Sequence, residues 1–316
     1  MNCLCCGKPL KEPIPASGWH PACIRRFFGT RALPKIELSN EMLTMLAEQA
    51  VQKGITVPGV QKKLSLHLSE EHLPRLTIVD HPTGYILKPQ VPEFQALPEA
   101  EHLVMQMAER AGLSVVPHAL VKMEDRFAYI TRRVDRIRGE GEGTEKLAME
   151  DFCQLGRRLT ADKYRGSYER CANVIRDYSS RPGLDLSELF LRLIFCFLTG
   201  NSDMHLKNFS LIETAPVSGR YVLSPAYDLL PVTVIMPEDR EEFALTMNSK
   251  KTSLRRKDFL VFAESTGIAR KTAEAMIGKM TAHLPEWISM CETSFLPDEV
   301  KSALTDLMRD RVARLL

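Results

Sequence analysis

The 316-residue chain contains no run of the roughly 18 uninterrupted apolar residues that a membrane-spanning helix requires. The longest candidate, Leu189 to Leu198, is too short and carries Arg192, so no membrane partner is expected. Met1 to Lys8 lacks an apolar core behind a basic start, which argues against a secretory signal and for a cytoplasmic location. Neither sign of charge dominates: 42 Lys and Arg stand against 40 Asp and Glu. That balance weighs against a chain held on nucleic acid by a broad basic face. There is no internal repeat. What remains, 44% hydrophobic and 26% charged residues, is an ordinary globular composition, long enough for two domains.

The eight cysteines fall into two groups. Cys153, Cys171, Cys196 and Cys291 are scattered, and in a reducing compartment they read as small core residues. The other four crowd the N-terminus as Cys3-x-x-Cys6, with Cys5 beside them, and His20-Pro21-Ala22-Cys23. Two pairs of ligands three positions apart can close a tetrahedron, and a Cys3His set suits structural Zn²⁺. Gly7 supplies the turn freedom. Cys3, Cys6, His20 and Cys23 are the expected ligands, with Cys5 a bystander or a competitor of Cys6; a frayed terminus with coincidental cysteines is the alternative.

Periodicity predicts short helices at Ile24 to Gly29 and Leu38 to Gln52, then extended segments at Val60 to Leu68, Arg75 to Val79 and Tyr85 to Lys88. A helix is predicted over Pro98 to Gly112 and a strand pair at Pro117 to Met123 and Phe127 to Arg132. From Glu150 the pattern is mainly helical, broken by loops at Gly200 to Asn208 and Ser224 to Pro231. The expected class is α+β, a sheet-rich first half and a helix-rich second half forming two lobes about a cleft. The expected divisions are 1–30 for the Cys/His segment, 31–136 for the first lobe and 137–316 for the helical lobe.

The most informative run is Gly200-Asn201-Ser202-Asp203-Met204-His205-Leu206-Lys207-Asn208-Phe209. Gly200 fits a left-handed helix terminus, and a polar loop fixed to a buried helix makes a rigid platform. Asp203 and Asn208 stand five apart, the Asp-x-x-x-x-Asn spacing of phosphoryl-transfer loops. One carboxylate can orient and deprotonate an attacking hydroxyl, and one amide oxygen can help hold Mg²⁺. Lys207 is placed to offset charge on the transferring phosphate. Downstream, Asp228 in Ser224 to Pro231 follows a strand predicted at Arg220 to Leu223 and can serve as the main Mg²⁺ ligand. Upstream, Gly54 to Lys63 is a glycine-bounded loop without the Lys-Ser/Thr that completes a Walker loop. Lys88 ends a strand, and Glu101 opens the next helix and can pair with it, as a phosphate-binding lysine requires. The plainer reading of each is a capped helix end, a turn aspartate, and a surface lysine with a first-turn glutamate.

Taken together, Pro58 to Lys63, Tyr85 to Pro89, Glu150 to Gly156, Gly200 to Asn208 and Ser224 to Pro231 resemble the HipA-like serine/threonine kinase toxins of bacterial toxin–antitoxin systems. The resemblance implies a two-lobed, protein-kinase-like fold related to phosphoinositide kinases, using ATP and Mg²⁺. It assigns Asp203 as catalytic aspartate, Asn208 and Asp228 as metal ligands, and Lys88, supported by Glu101, on the phosphates. Val57, Pro58, Gly59, Val60, Gln61 and Lys62 would form the nucleotide loop. Arg132 and Val134 would lie at the adenine hinge near Thr131 to Val134, and His205 joins the cofactor-binding set. Only some 55 residues precede the nucleotide loop, as in the short HipT form, whose missing subdomain is a separate protein, HipS, encoded with the DNA-binding antitoxin HipB. The implied target is an aminoacyl-tRNA synthetase, the tryptophanyl enzyme for HipT and the glutamyl enzyme for HipA. Thr56 aligns with a loop autophosphorylation site, while Pro58 replaces a second acceptor serine. A small-molecule phosphotransferase and a binding protein with a degenerate cleft are the competing classes, and no direct nucleic-acid contact is expected.

Overall fold

The structure is a computed structural model that describes residues 1–36, 63–69, 74–78, 84–138 and 144–316. The helix predicted over Leu38 to Gln52 and the nucleotide loop, including Thr56 to Lys62, lie outside the described residues. Contacts divide the chain into two compact units. The first is Met1–His102 with Pro117–Arg133, and the second is Leu103–Val116 with Val134–Leu316. The N-terminal Cys/His segment is therefore part of the first unit.

In the first unit, helix α1 (Pro21–Phe28) ends at Gly29, whose φ of 77° places it in the left-handed region that glycine occupies at no steric cost. The strands are β1 (Lys35–Ile36), β2 (Leu64–Leu68), β3 (Arg75–Ile78), β4 (Tyr85–Pro89), β5 (His118–Met123) and β6 (Arg126–Arg132). They form a sheet in the order β1-β3-β2-β4-β6-β5. All pairings are antiparallel except β1 with β3. Strand β4 is interior, pairing β2 through Leu87↔Leu64 and β6 through Lys88↔Tyr129. Its Leu87 is fully buried and its Lys88 is 4% exposed. Helix α2 (Leu97–Arg110) begins in the first unit and continues into the second.

The second unit contains two short sheets among helices. β7 (Arg136–Arg138) pairs with β8 (Thr144–Lys146), and β10 (Ser210–Glu213) lies between β9 (Met149–Asp151) and β11 (Tyr221–Leu223). The helices are α3 (Phe152–Leu155), α4 (Tyr168–Tyr178), α5 (Pro182–Thr199), α6 (Val232–Ile235), α7 (Arg256–Ser265), α8 (Arg270–Thr281), α9 (Leu284–Glu292) and α10 (Asp298–Leu315). Helix α5 is the centre of this core and packs against α4, α8 and α10. Its Leu189, Phe190, Leu193, Ile194, Phe195, Phe197 and Leu198 are all fully buried. A helix apolar on nearly every side has to be enclosed, which is why the sequence shows no polar stripe there. Cys153, Cys171, Cys196 and Cys291 are buried and unbridged, as expected of core thiols. Among the described residues, no helix is long and apolar enough to cross a membrane.

Candidate active site

Three short strands gather the polar residues of the second unit. Strands β9 and β11 both run antiparallel to β10, with Ser210 opposite Asp151 and Leu211 opposite Leu223. The end of β9, the start of β10 and the end of β11 therefore lie at one edge of this sheet. The chain enters β10 from Asn208 and leaves β11 toward Asp228, so the topology delivers Asp151, the Gly200–Asn208 loop and the Asp228 loop to that edge.

The Gly200 loop is fixed from both ends. Helix α5 stops at Gly200, with φ of 73°, and the amide of Asn201 returns to the Cys196 carbonyl at 2.8 Å. A Cβ at Gly200 would overlap Leu307 and Thr233. Within the loop the backbone amide of His205 bonds the Asp203 carbonyl at 2.8 Å. Asn208 Nδ2 donates to the same carbonyl at 2.8 Å, which leaves its Oδ1 as the end not spent on the loop. Asn201 joins the second loop to the first: its Nδ2 donates to the Asp228 carbonyl at 3.4 Å, and its Oδ1 accepts from the Asp203 amide at 3.3 Å. Asp203, Asn208 and Asp228, predicted together, are thus brought together.

Asp228 adopts φ of 56°, a left-handed geometry that aspartate tolerates better than most residues. Its loop is braced by Arg192, the charge that interrupts the apolar run of α5. Arg192 is completely buried and its Nη2 donates to the Ser224 carbonyl at 2.9 Å. Ala226 adds a bridge to the Ser114–Val116 segment through its amide on the Ser114 carbonyl at 2.7 Å.

Four side chains around Asp203 complete the electrostatics. The Tyr164 hydroxyl donates to Asp203 Oδ1 at 2.7 Å; burial first, and then the Asp203 charge, push this phenol up, so it remains a donor. His205 is buried and its ring contacts Tyr164 at 5.0 Å. Burial holds its pKa below the usual value although Asp203 and Asp228 pull the other way, so the imidazole is neutral near pH 7. Lys207 Nζ pairs with Asp151 Oδ2 at 2.6 Å, so its ammonium is aimed by a carboxylate from β9. Tyr168 holds the Met204 carbonyl at 3.1 Å. Asp151 and Tyr164 were not singled out as site residues from sequence. Their partners lie 56 and 39 positions away, and the only trace was Asp151's place in the Glu150 to Gly156 run.

In the first unit, Lys88 Nζ meets Glu101 Oε1 at 2.5 Å, and both are almost fully buried. The ammonium also lies 5.2 Å from the centre of the Tyr129 ring. The predicted pairing of strand lysine and helix glutamate is present. Next to it His102 Nδ1 and His118 Nδ1 are 2.9 Å apart, and His118 stacks on Tyr129. Burial lowers both imidazoles, His118 to about 3, so both are neutral and one nitrogen donates to the other. At the expected hinge, the Arg132 and Arg133 amides are taken by the Pro117 and Gly84 carbonyls at 2.9 and 2.8 Å. Val134 is the next residue along and begins the second unit's long segment.

The donor set of the second unit, two carboxylates and an amide oxygen, is hard and suits Mg²⁺. A model of the HipA-like C-terminal domain matches residues 55–288, most of the chain. The chain belongs to this family. Among curated relatives, a Haemophilus influenzae protein named "Putative kinase" is 26% identical over 98% of this chain and 95% of its own length. "Putative kinase Y4mE" of Sinorhizobium fredii is 30% identical over 69% of this chain, and "Putative kinase Y4dM" of the same organism 29% identical over 68%. The chain spans about half the length of these two, 53% and 54%. Among solved structures, Shewanella oneidensis HipA, in a complex with HipB and its operator DNA, superimposes with a TM-score of 0.68 at 20% identity. That match covers 85% of this chain and 70% of the other. The Helicobacter pylori proinflammatory kinase CtkA gives 0.54 at 14% identity, over 79% and 93%. The HipA-like chain thus has a mixed α+β fold shared with kinases.

Proposed function

We propose that the chain is an ATP-dependent serine/threonine protein kinase that acts as the toxin of a toxin–antitoxin system, in the short HipT-like form. The observation that carries this reading is the hydrogen-bonded unit Asp203–Asn201–Asp228 with Asn208. It ties a half-exposed aspartate, an amide oxygen and a second aspartate into one constellation, in the order phosphoryl transfer requires.

In this reading Asp203 accepts the proton of the attacking hydroxyl, held in orientation by Tyr164. Asn208 Oδ1 and the Asp228 carboxylate would hold Mg²⁺, which when bound neutralises phosphate charge. Lys207, steered by Asp151, faces the charge that develops on the transferring group. Lys88, fixed by Glu101, is assigned to phosphate oxygens, and Val57 to Lys62 and His205 to the cofactor-binding set. At the hinge, two amides are already committed to protein carbonyls, so the Val134 backbone is assigned to adenine. Thr56 is the single autophosphorylation site, since Pro58 has no hydroxyl. The divisions 1–30, 31–136 and 137–316 describe the functional layout of Cys/His segment, nucleotide-loop lobe and helical lobe.

The target class is an aminoacyl-tRNA synthetase, with the tryptophanyl enzyme first. HipA of Shewanella was solved with HipB and DNA; by analogy an antitoxin resembling HipB, and a small HipS-like protein, are the partners expected to neutralise this chain. The test is incubation of the purified chain with γ-labelled ATP, Mg²⁺ and cell extract, followed by phosphopeptide identification. Label in a discrete protein, lost with Asp203→Asn, is the expected result. Label confined to small molecules would replace the reading with a small-molecule phosphotransferase, and no ATP consumption would remove it altogether.

A further inference from the structure

The Cys/His segment takes no part in the chemistry just described, yet it is among the most closely bonded parts of the first unit. Residues 1–10 fold back on themselves: Asn2 bridges Pro9, the Leu10 amide reaches the Met1 carbonyl at 3.1 Å, and the Cys3 amide reaches the Lys8 carbonyl at 2.9 Å. The Gly7 amide closes the turn onto the Cys3 carbonyl at 2.9 Å, with φ of 69° at Gly7. This turn carries Cys3 and Cys6. The other pair comes from the start of α1, where His20 is the residue before the helix and Cys23 lies in its first turn.

Two separate pieces of chain thus point four soft donors at one spot. The ligand atoms of Cys3, Cys6, His20 and Cys23 all lie within 4.8 Å of one another. His20 Nδ1 is 3.4 Å from Cys6 Sγ and 3.9 Å from Cys23 Sγ. Metal–ligand bonds of 2.0–2.3 Å at tetrahedral angles separate the donors by about 3.5–3.8 Å, so donors already within 4.8 Å of one another need to close by about an ångström at most. The surroundings are already arranged for a metal. His20 Nε2 lies 3.1 Å from the Pro9 carbonyl, which can only accept, so Nε2 carries the proton and Nδ1 faces the thiols with its lone pair. The His20 amide donates to Cys3 Sγ at 3.4 Å, a bond that favours a thiolate. Cys5 is not in the group.

The same two pieces of chain grip the sheet. Strand β5 is an edge strand, with β6 on one side. On its other side the Leu120 amide donates to the Leu4 carbonyl at 2.8 Å, and the Leu120 carbonyl accepts from Trp19 Nε1 at 3.2 Å. Leu4 lies between the two cysteines of the turn, and Trp19 immediately precedes His20. Trp19 is fully buried against Phe27 and Phe28, both of which also contact Tyr85 on β4. The Tyr85 hydroxyl donates to the Phe27 carbonyl at 3.3 Å.

We propose that Cys3, Cys6, His20 and Cys23 bind one Zn²⁺ in a closed structural site. The metal joins the turn to α1 and so locks a clasp over the open edge of the sheet that carries Lys88. An edge strand presents unpaired backbone groups and has to be covered; here the cover is two short loops with little core of their own, the situation in which a metal contributes folding energy directly. This inference is independent of the kinase reading.

The test uses the full chain, expressed with zinc and purified under reducing conditions. Metal analysis is expected to give one zinc per chain; a metal-free preparation, or one with disulfides among these cysteines, overturns the proposal. Cys6→Ser, at a half-exposed position, is expected to lose the metal, and Cys5→Ala to keep it; the reverse pattern overturns the ligand set. Should Cys6→Ser fail to fold, the Co²⁺-substituted wild type decides. Intense visible bands with thiolate charge transfer support a tetrahedral thiolate-rich site, and weak octahedral absorption overturns it. Hydrogen exchange locates the effect: zinc removal is expected to expose the Leu4 and Leu120 amides while α5 stays protected. Equal exchange with and without zinc overturns the clasp.

Discussion

Lys88 and Asp203 are both ionic side chains assigned to phosphoryl transfer, yet they are secured in opposite ways. Lys88 is buried in an interior strand, and a second charge, Glu101, meets it at 2.5 Å. Asp203 is half-exposed; its loop is held mainly by backbone bonds and by neutral groups, Asn201, Asn208 and Tyr164. The contrast follows from solvation. A buried charge has to be neutralised where it stands, whereas a charge that keeps some water needs only to be aimed. Chemistry and stability should therefore separate in the second unit and be entangled in the first.

The sharpest break is Asp203→Asn. Phosphate transfer from labelled ATP is expected to fall by about 10²–10⁴, the usual size of a lost general base. Thermal unfolding should move by less than about 1 kcal/mol, because the amide oxygen can still accept from Tyr164. Lys88→Met is expected to cost both, losing phosphate transfer and destabilising the protein by about 3–5 kcal/mol in chemical denaturation by stranding Glu101. The double variant Lys88→Met/Glu101→Leu should recover most of that stability and none of the activity. Recovery of neither would mean that the pair is not an isolated charge pair.

Next in size is Gly200→Ala, whose Cβ collides with Leu307 and Thr233 at a left-handed position; about 3 kcal/mol is expected, read as a lowered denaturation midpoint. Acid then probes the first unit. An unfolded histidine takes up a proton near 6.5, while buried His118 resists until about 3. The unfolded chain thus binds more protons in between, and stability falls as the pH drops through this window. About 1.5 kcal/mol is expected from His118 between pH 6.5 and 5. Pairing His102→Asn with His118→Asn should flatten that slope in denaturation curves. The smallest effect is expected from Tyr164→Phe, under about 1 kcal/mol. A larger loss in its unfolding curve would mean that Asp203 depends on side-chain anchoring after all.

Local patterns made much of this legible. The alternation in Leu64 to Leu68, the strand-ending Lys88 with Glu101 on the next helix, and the left-handed Gly200 all depend on near neighbours in the chain. The Asp203 and Asn208 pair was readable because both sit on one loop. What escaped depends on distant partners or on segments too short to carry a period. The second half read as mainly helical, with a strand expected only at Arg220 to Leu223. Strands β9 and β10, of three and four residues, have no room for an alternating signature. Arg192 read only as an interruption of an apolar run; its purpose is visible once Ser224, 32 positions later, is beside it. Asp151 gave no sign that it aims Lys207.

The three-stranded sheet also sets where this chain can tolerate changes in length. Side chains alternate with a period of two and all four residues of β10 are buried, so one residue added within it would exchange its two packed faces and shift Ser210 off Asp151. Natural variants with insertions or deletions between Phe209 and Glu213 should be inactive. The Thr214 to Arg220 connection is different: its Val217 is 97% exposed, and extra residues there would leave the strand pairing untouched. That hairpin tip is accordingly the place to splice in an epitope or a fluorophore tag without disturbing the loops on either side of the sheet.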